Sequence, residues 1–409
     1  MPEKTVVNRR QFLGSTAGAG IALSATAKSV RGAVGANEKV ATGIIGTGGM
    51  GRHHINSFKA QPDVKFLALC DIYEGNVAEG LKAMGEEVKV HHDYHELLDR
   101  KDIDAVIIAS PEHWHHDMLI DALDRNKDVY CEKPMSWSIE QGANMVKAVR
   151  KTDRIVQIGM QRRSSPLVWQ AKEIIDSGQL GQVHLVRAEW YWKMGSIQNN
   201  NRPLTSKMDW ERFCGPAGKQ EFEPVKVRNW RYFWPFSGGN VTDQGTHLID
   251  VVQWFMNADQ PLSAIQFGEV YHLQPAETPD TFCATLEYPN FMATWTLGYT
   301  TNTWRDGWSI VFQGMNRSLE LSEAGYRVFD EKSDWSRGLP MPVKADLPGG
   351  VTRTEPHTRN FLDCIKSRNQ PNATVEVGHR AVRSLHLANQ AFHKNARVKL
   401  GADGQTVTT

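Results

Sequence analysis

Residues 40–71, VATGIIGTGGMGRHHINSFKAQPDVKFLALCD, confine this chain to few folds. A short apolar run, Gly43-Ile44-Ile45, reads as a buried parallel strand, and Gly46, Gly48 and Gly51 follow in G-x-G-x-x-G spacing. The pattern then predicts a helix from about Met50 to Ala60 and a second strand over Val64–Cys70 that ends in Asp71. A strand, a glycine turn, a helix, a strand and an acid about 20 residues on is what a dinucleotide site requires. Gly46 permits the tight turn, Gly48 lets the backbone approach a pyrophosphate, and Gly51 lets helix and strand pack closely. The helix N-terminus, entered through Gly49 and Met50, offers free N–H groups and a partial positive charge to phosphates. Arg52 is a further candidate phosphate partner. A carboxylate at Asp71 accepts hydrogen bonds from ribose hydroxyls and repels a 2′-phosphate, which favours NAD over NADP.

The 409 residues suffice for two domains, and 47 basic against 46 acidic side chains leave no electrostatic footprint for nucleic acid or an anionic membrane. Five scattered cysteines with no C-x-x-C indicate neither a disulfide framework nor a zinc site. Asn8-Arg9-Arg10-Gln11-Phe12-Leu13, a Gly/Ala-rich apolar stretch and Ala25-Thr26-Ala27 resemble a twin-arginine export signal, with residues 28–39 as linker. An exported, periplasmic protein with a nicotinamide cofactor is expected to hold that cofactor tightly.

Strands and helices continue to alternate: a strand over 104–110, a helix opening at Glu112-His113-Trp114-His115-His116, and a strand over 128–131 followed by Glu132-Lys133-Pro134. This predicts an α/β domain with a parallel sheet whose ligand lies beyond the carboxyl ends of the strands. Ser110 and Glu132-Lys133 fall there. His115 is expected to line the nicotinamide side. The clustered histidines lack a carboxylate or cysteine to complete a metal set, so no metal is expected.

Residues 157–163 form a strand leading to Arg162 and Arg163, expected in the substrate region. Residues 193–238 lose periodicity and carry Trp210, Trp230 and Trp234 with Arg228 and Arg231. Long irregular loops of this kind are commonly functional, and aromatic rings cover the C–H faces of sugars well. Trp230 is the candidate substrate contact. Downstream, Asp243 and His247 are spaced to share a helix face. An imidazole suits removal of a hydroxyl proton, and a nearby carboxylate can orient it. Residues 262–329 alternate as strands, residues 331–350 read as a Pro/Gly-rich loop, and the chain closes with two helices.

The glycine turn, Asp71, Ser110-Pro111 with His115, Glu132-Lys133-Pro134, and Asp243-x-Gly245-x-His247 together resemble the Gfo/Idh/MocA oxidoreductase family, which includes glucose–fructose oxidoreductase and inositol dehydrogenase. The resemblance implies a Rossmann domain (residues 37–160, after a signal and linker at 1–36). A substrate-binding and oligomerisation domain with an open, mostly antiparallel sheet would follow (161–400), then a short tail (401–409). It implies His247 as acid/base, Lys133 at the reacting carbon, and Asp243 beside them. The expected activity is hydride transfer between bound NAD and a carbinol carbon of a pyranose or polyol, in a homo-oligomer built through the C-terminal sheet. Two alternatives use the same residues: a redox-neutral, NAD-dependent glycoside hydrolase, and a non-catalytic sugar-binding protein.

Overall fold

The computed structural model describes residues 39–302, 307–331 and 342–409. The export segment, residues 8–27, lies outside them, as does part of the loop expected at 331–350.

The first sheet is parallel. It contains β1 (Val40–Ile45), β2 (Val64–Cys70), β3 (Lys89–His91), β4 (Ala105–Ile108), β5 (Asp128–Cys131) and β6 (Val156–Ile158), in the order β3-β2-β1-β4-β5-β6. The strands are short and apolar because helices cover both faces, and β4 and β5 are buried along their whole length. One face packs helices Gly49–Lys59 and Glu355–Ser367, where Phe58 and Phe361 stand edge-on to Tyr130 of β5. The chain order reverses between β1 and β4, so the carboxyl ends of these two strands form the crevice where such sheets bind ligands.

The second sheet follows from β7 (Val183–Tyr191), β8 (Ser263–Glu269), β9 (Thr281–Glu287), β10 (Met292–Gly298), β11 (Gly307–Gly314), β12 (Arg317–Ser322), β13 (Gly325–Asp330), β14 (Lys344–Asp346), β15 (Val398–Leu400) and β16 (Val407–Thr408). Its order is β14-β13-β12-β11-β7-β10-β9-β8-β15-β16, antiparallel throughout except where β7 meets β10. Alternation decides its inner face: Val186 and Ala188 of β7 and Trp308, Ile310 and Phe312 of β11 are buried toward the helices. β14 was not foreseen; it pairs with β13 inside the stretch expected to be loop. Helix Val375–Lys394 ties the two halves, packing on helices Ile139–Val149 and Gly245–Phe255 and on β8. A Cβ at Gly378 would meet Ile158 and Met135, so the absence of a side chain there lets this helix seat against the first domain.

Candidate active site

The glycine turn begins at Gly46, with φ +88° and its amide on the Cys70 carbonyl at 2.8 Å. A Cβ on Gly51 would stand 2.0 Å from the Gly46 carbonyl oxygen, so only glycine lets the helix start this close to the turn. Gly48 caps helix Gly49–Lys59 with no side-chain hydrogen bond, leaving the first amides of an 11-residue helix free. Beside Gly49 nothing lies within 4 Å of where a side chain would be. These amides open on a cavity of about 330 Å³ lined by Gly46, Gly48, Gly49, Met50 and Asp71. Asp71 accepts from the Thr47 amide (2.7 Å) and hydroxyl (3.1 Å) and from the Tyr73 amide (2.9 Å). Burial pushes its carboxyl up despite those donors. Free helix amides, a cradle without side chains and a carboxylate at the end of the next strand fit a dinucleotide, with the phosphates at the turn and a ribose at Asp71. A larger surface groove of about 1410 Å³ lies at the amino ends of the same strands, beside Asp104 and Asp128, and holds none of the candidate residues.

The far end of the cavity is lined by Ser110, Pro111, Glu132, Lys133, Trp230 and Arg231. Strand β5 ends at Cys131, so Glu132 and Lys133 emerge beyond the sheet, and the Lys133–Pro134 bond is cis. Glu132 is buried and, its carboxyl held below the usual range, accepts from His54 Nε2 at 2.6 Å. Lys133 donates to both the Asp243 carbonyl (3.0 Å) and Asp243 Oδ1 (2.9 Å). Arg231 Nε reaches the same Oδ1 at 3.1 Å, and its guanidinium lies 4.3 Å over the Trp230 ring. Burial alone would raise the Asp243 carboxyl, but the charges and hydrogen bonds of Lys133 and Arg231 hold it at about 2. It is ionised at every working pH.

Asp243 ends helix Gly239–Asp243, and Gln244 joins it to helix Gly245–Phe255, whose first turn carries His247. The joint is tight. A Cβ on Gly245 would meet Trp295 Nε1 at 2.7 Å, and that indole donates to the Val241 carbonyl. His247 Nδ1 is buried with no hydrogen-bond partner. Burial, then the charges of Lys133, Arg162 and His357, push its pKa well below 6.5, so the ring is neutral. The expected pairing of Asp243 with His247 is not made. Asp243 spends its carboxylate on Lys133 and Arg231, because two cations outcompete one neutral ring.

Other expectations need correction. His115 does not line the cavity: it is buried, with Nδ1 against the Pro134 carbonyl (2.6 Å) and Nε2 against the Ser110 carbonyl (3.0 Å). It braces the two loops that do. Arg52 turns back to the Thr47 carbonyl at 3.0 Å and does not border the cavity. Arg163 is not directed at substrate; its Nε and Nη2 grip Asp250 at 2.7–2.9 Å. Trp210 packs among Phe213, Phe222 and Phe236, and Trp234 against Phe392 and His393, which leaves Trp230 as the cavity-lining ring of the three.

Three features escaped sequence reasoning. Arg231 was visible only as one of several arginines in an aromatic run. Glu112, read as a helix opener, is fully buried and accepts from the Ser237 hydroxyl (2.7 Å) and the Gly238 amide (3.2 Å), joining the Ser110 loop to the helix that bears Asp243. Burial pushes its carboxyl up to about 8. The irregular insert lies across the nucleotide cavity. Met208 bridges Tyr73, the Glu74 amide reaches the Lys207 carbonyl (3.1 Å), and the Asp209 amide reaches the Ile72 carbonyl (3.2 Å). Met208, Arg212 and Phe213 thereby become walls of the cavity.

A family profile described as "Oxidoreductase family, NAD-binding Rossmann fold" matches residues 40–160, and its companion, "Oxidoreductase family, C-terminal alpha/beta domain", matches residues 172–400. The uncharacterized oxidoreductase YrbE of Bacillus subtilis is 33% identical over 153 residues, 37% of this chain and 44% of that protein. An inositol 2-dehydrogenase of Salmonella paratyphi B is 36% identical over 151 residues, 36% of this chain and 45% of the relative. These matches span just under half the length of the curated relatives. Among solved structures, a levoglucosan dehydrogenase in complex with NADH and levoglucosan superposes with a TM-score of 0.69 at 18% identity, over 88% of this chain and 99% of that one. That likeness is one of fold.

Proposed function

The chain belongs to the Gfo/Idh/MocA oxidoreductase family, with an NAD-binding Rossmann domain, and on that premise we propose that it oxidises a carbinol carbon of a sugar or polyol. When bound, NAD supplies the hydride acceptor. The glycine-turn amides and Asp71 hold and orient the dinucleotide. Lys133 spends two of its three N–H donors on Asp243 and keeps one for the reacting hydroxyl; its side chain is 11% exposed, so a substrate can reach it. That ammonium stabilises the oxygen as its proton leaves. His247, kept neutral by burial and the neighbouring cations, receives the proton. Asp243 fixes Lys133 and Arg231 rather than the imidazole. Trp230 and the insert shield the chamber from water.

One observation carries this reading: Lys133, anchored by Asp243, lines the same cavity as the glycine turn and Asp71. The test is reduced-nicotinamide absorbance of the purified enzyme against a panel of sugars, polyols and glycosides, with Lys133→Met and His247→Asn beside the parent. Each variant should lose roughly 100- to 10,000-fold in turnover while still binding NAD. A variant that left turnover intact would overturn the assignment. Aglycone release with no lasting absorbance change would reassign the enzyme to redox-neutral cleavage. The Arg9-Arg10 segment supports a periplasmic location, and an Arg9→Lys, Arg10→Lys chain that still left the cytoplasm would remove it.

A further inference from the structure

One charge near the site has no use in the reaction above. Arg162 follows β6 in a short turn and is 2% exposed, yet its Nε and Nη1 are buried without a hydrogen-bond partner. Its guanidinium lies 4.0 Å over the Trp308 ring and 5.8 Å from that of Trp190. Those two rings are direct neighbours across β11 and β7, so they form one aromatic wall at the sheet's inner edge. The turn that carries Arg162 packs on helix Gly245–Phe255, whose first turn bears His247, and the charge of Arg162 is among those that lower the pKa of that ring.

The anions within reach are committed elsewhere. Asp250 is gripped by Arg163. Glu323 accepts from the Trp308 indole (3.3 Å) and the Thr352 hydroxyl (2.8 Å). Asp243, the carboxylate of the site, is taken by Lys133 and Arg231. A buried guanidinium with unpaired donors is costly to keep, and the charges of Glu323 and Asp250 offset its burial only in part. Cation–π stacking orients the group but leaves its in-plane donors unspent.

We propose that Arg162 is the specificity-determining residue for an anionic substrate: a sugar acid whose carboxylate meets this guanidinium while its hydroxyl meets Lys133 and His247. The inference rests on the dehydrogenase reading and narrows it. A carboxylate matches the planar fork of donors in a way that a hydroxyl does not, and Trp308 and Trp190 would fix the plane in which it arrives.

The test compares D-glucuronate with D-glucose and D-galacturonate with D-galactose on the NAD-loaded full chain, reading kcat/KM from nicotinamide absorbance. Methyl esters of both acids, on the unmodified enzyme, read the same contact without any variant. The acids should exceed their neutral partners by roughly ten- to a hundredfold, as a charge-assisted pair of hydrogen bonds implies. Esterification should abolish the advantage. Arg162→Gln should bring the acid-to-neutral ratio toward one, and Arg162→Lys should keep part of it; a ratio within one variant is insensitive to partial misfolding. Acids no better than neutral sugars, esters as good as acids, or an unchanged ratio in Arg162→Gln would overturn the proposal and leave the dehydrogenase reading standing. Absence of turnover with every sugar, neutral or acid, would defeat both.

Discussion

Asp243→Asn isolates the electrostatics of the site. The amide keeps the shape of the carboxylate, and the backbone carbonyl of residue 243 still accepts from Lys133 at 3.0 Å, so what is lost is one negative charge between two cations. A carboxyl held at about 2 instead of 3.8 is worth roughly 2 kcal/mol in favour of its ionised form. Breaking a fully buried pair costs about 3–5 kcal/mol. The lower figure applies here because the Arg231 side chain is 38% exposed and can be rehydrated. For domains of this size about 2 kcal/mol lowers Tm by roughly 4–8 °C. The sign in pH is set by the depression: the contribution is complete above about 3.8 and lost as pH falls through about 2. Thermal melts of parent and variant across pH should therefore differ at neutrality and converge at the acid end. Equal melts at neutral pH, or a gap that persists to the lowest pH, would refute the claim that Lys133 and Arg231 hold this carboxylate ionised.

Two further outcomes follow from the same geometry. His247 is neutral because burial and neighbouring cations lower its pKa well below 6.5, so the acid limb of kcat/KM should fall below that value; an acid limb at or above 6.5, lost in His247→Asn, would contradict the environment described. Glu112 is the opposite case, a carboxyl pushed up from 4.5 to about 8, so its contribution is complete below about 4.5 and lost as pH rises through about 8. Glu112→Gln, which cannot ionise, should melt increasingly above the parent toward alkaline pH, its stability gain reaching about 5 kcal/mol at the limit, and parallel melting curves would refute this.

The first domain was legible because its information is local. Glycine spacing, short apolar strands and the acid after β2 each dictate a conformation or a charge within a few residues, and Gly46, Gly51 and Asp71 stand where that logic puts them. Lys133 was legible for the same reason, being the second residue after a buried strand at the carboxyl edge of a parallel sheet. Asp243 and His247 were expected on one helix face but lie on two helices joined at Gln244, and the partner of Asp243 differs too, since that choice depends on Lys133, 110 residues earlier, and on Arg231 in an aperiodic insert. Likewise His115 had the right position and the wrong neighbours: its two nitrogens are taken by carbonyls from separate loops.

The sequence by itself determined that a nucleotide-binding α/β domain precedes a β-rich one, and that the glycine turn, Asp71 and Lys133 stand at the crevice edge, because strands, turns and helix starts are fixed by neighbours in the chain. Tertiary structure alone decided which cation met which anion. It set Arg163 on Asp250 and left Nε and Nη1 of Arg162 unpaired, laid the insert over the nucleotide cavity, and buried Glu112 between the domains. The physical reason is that pairing and desolvation depend on distance in space, and a buried charge takes its character from whatever the fold brings within a few ångströms of it.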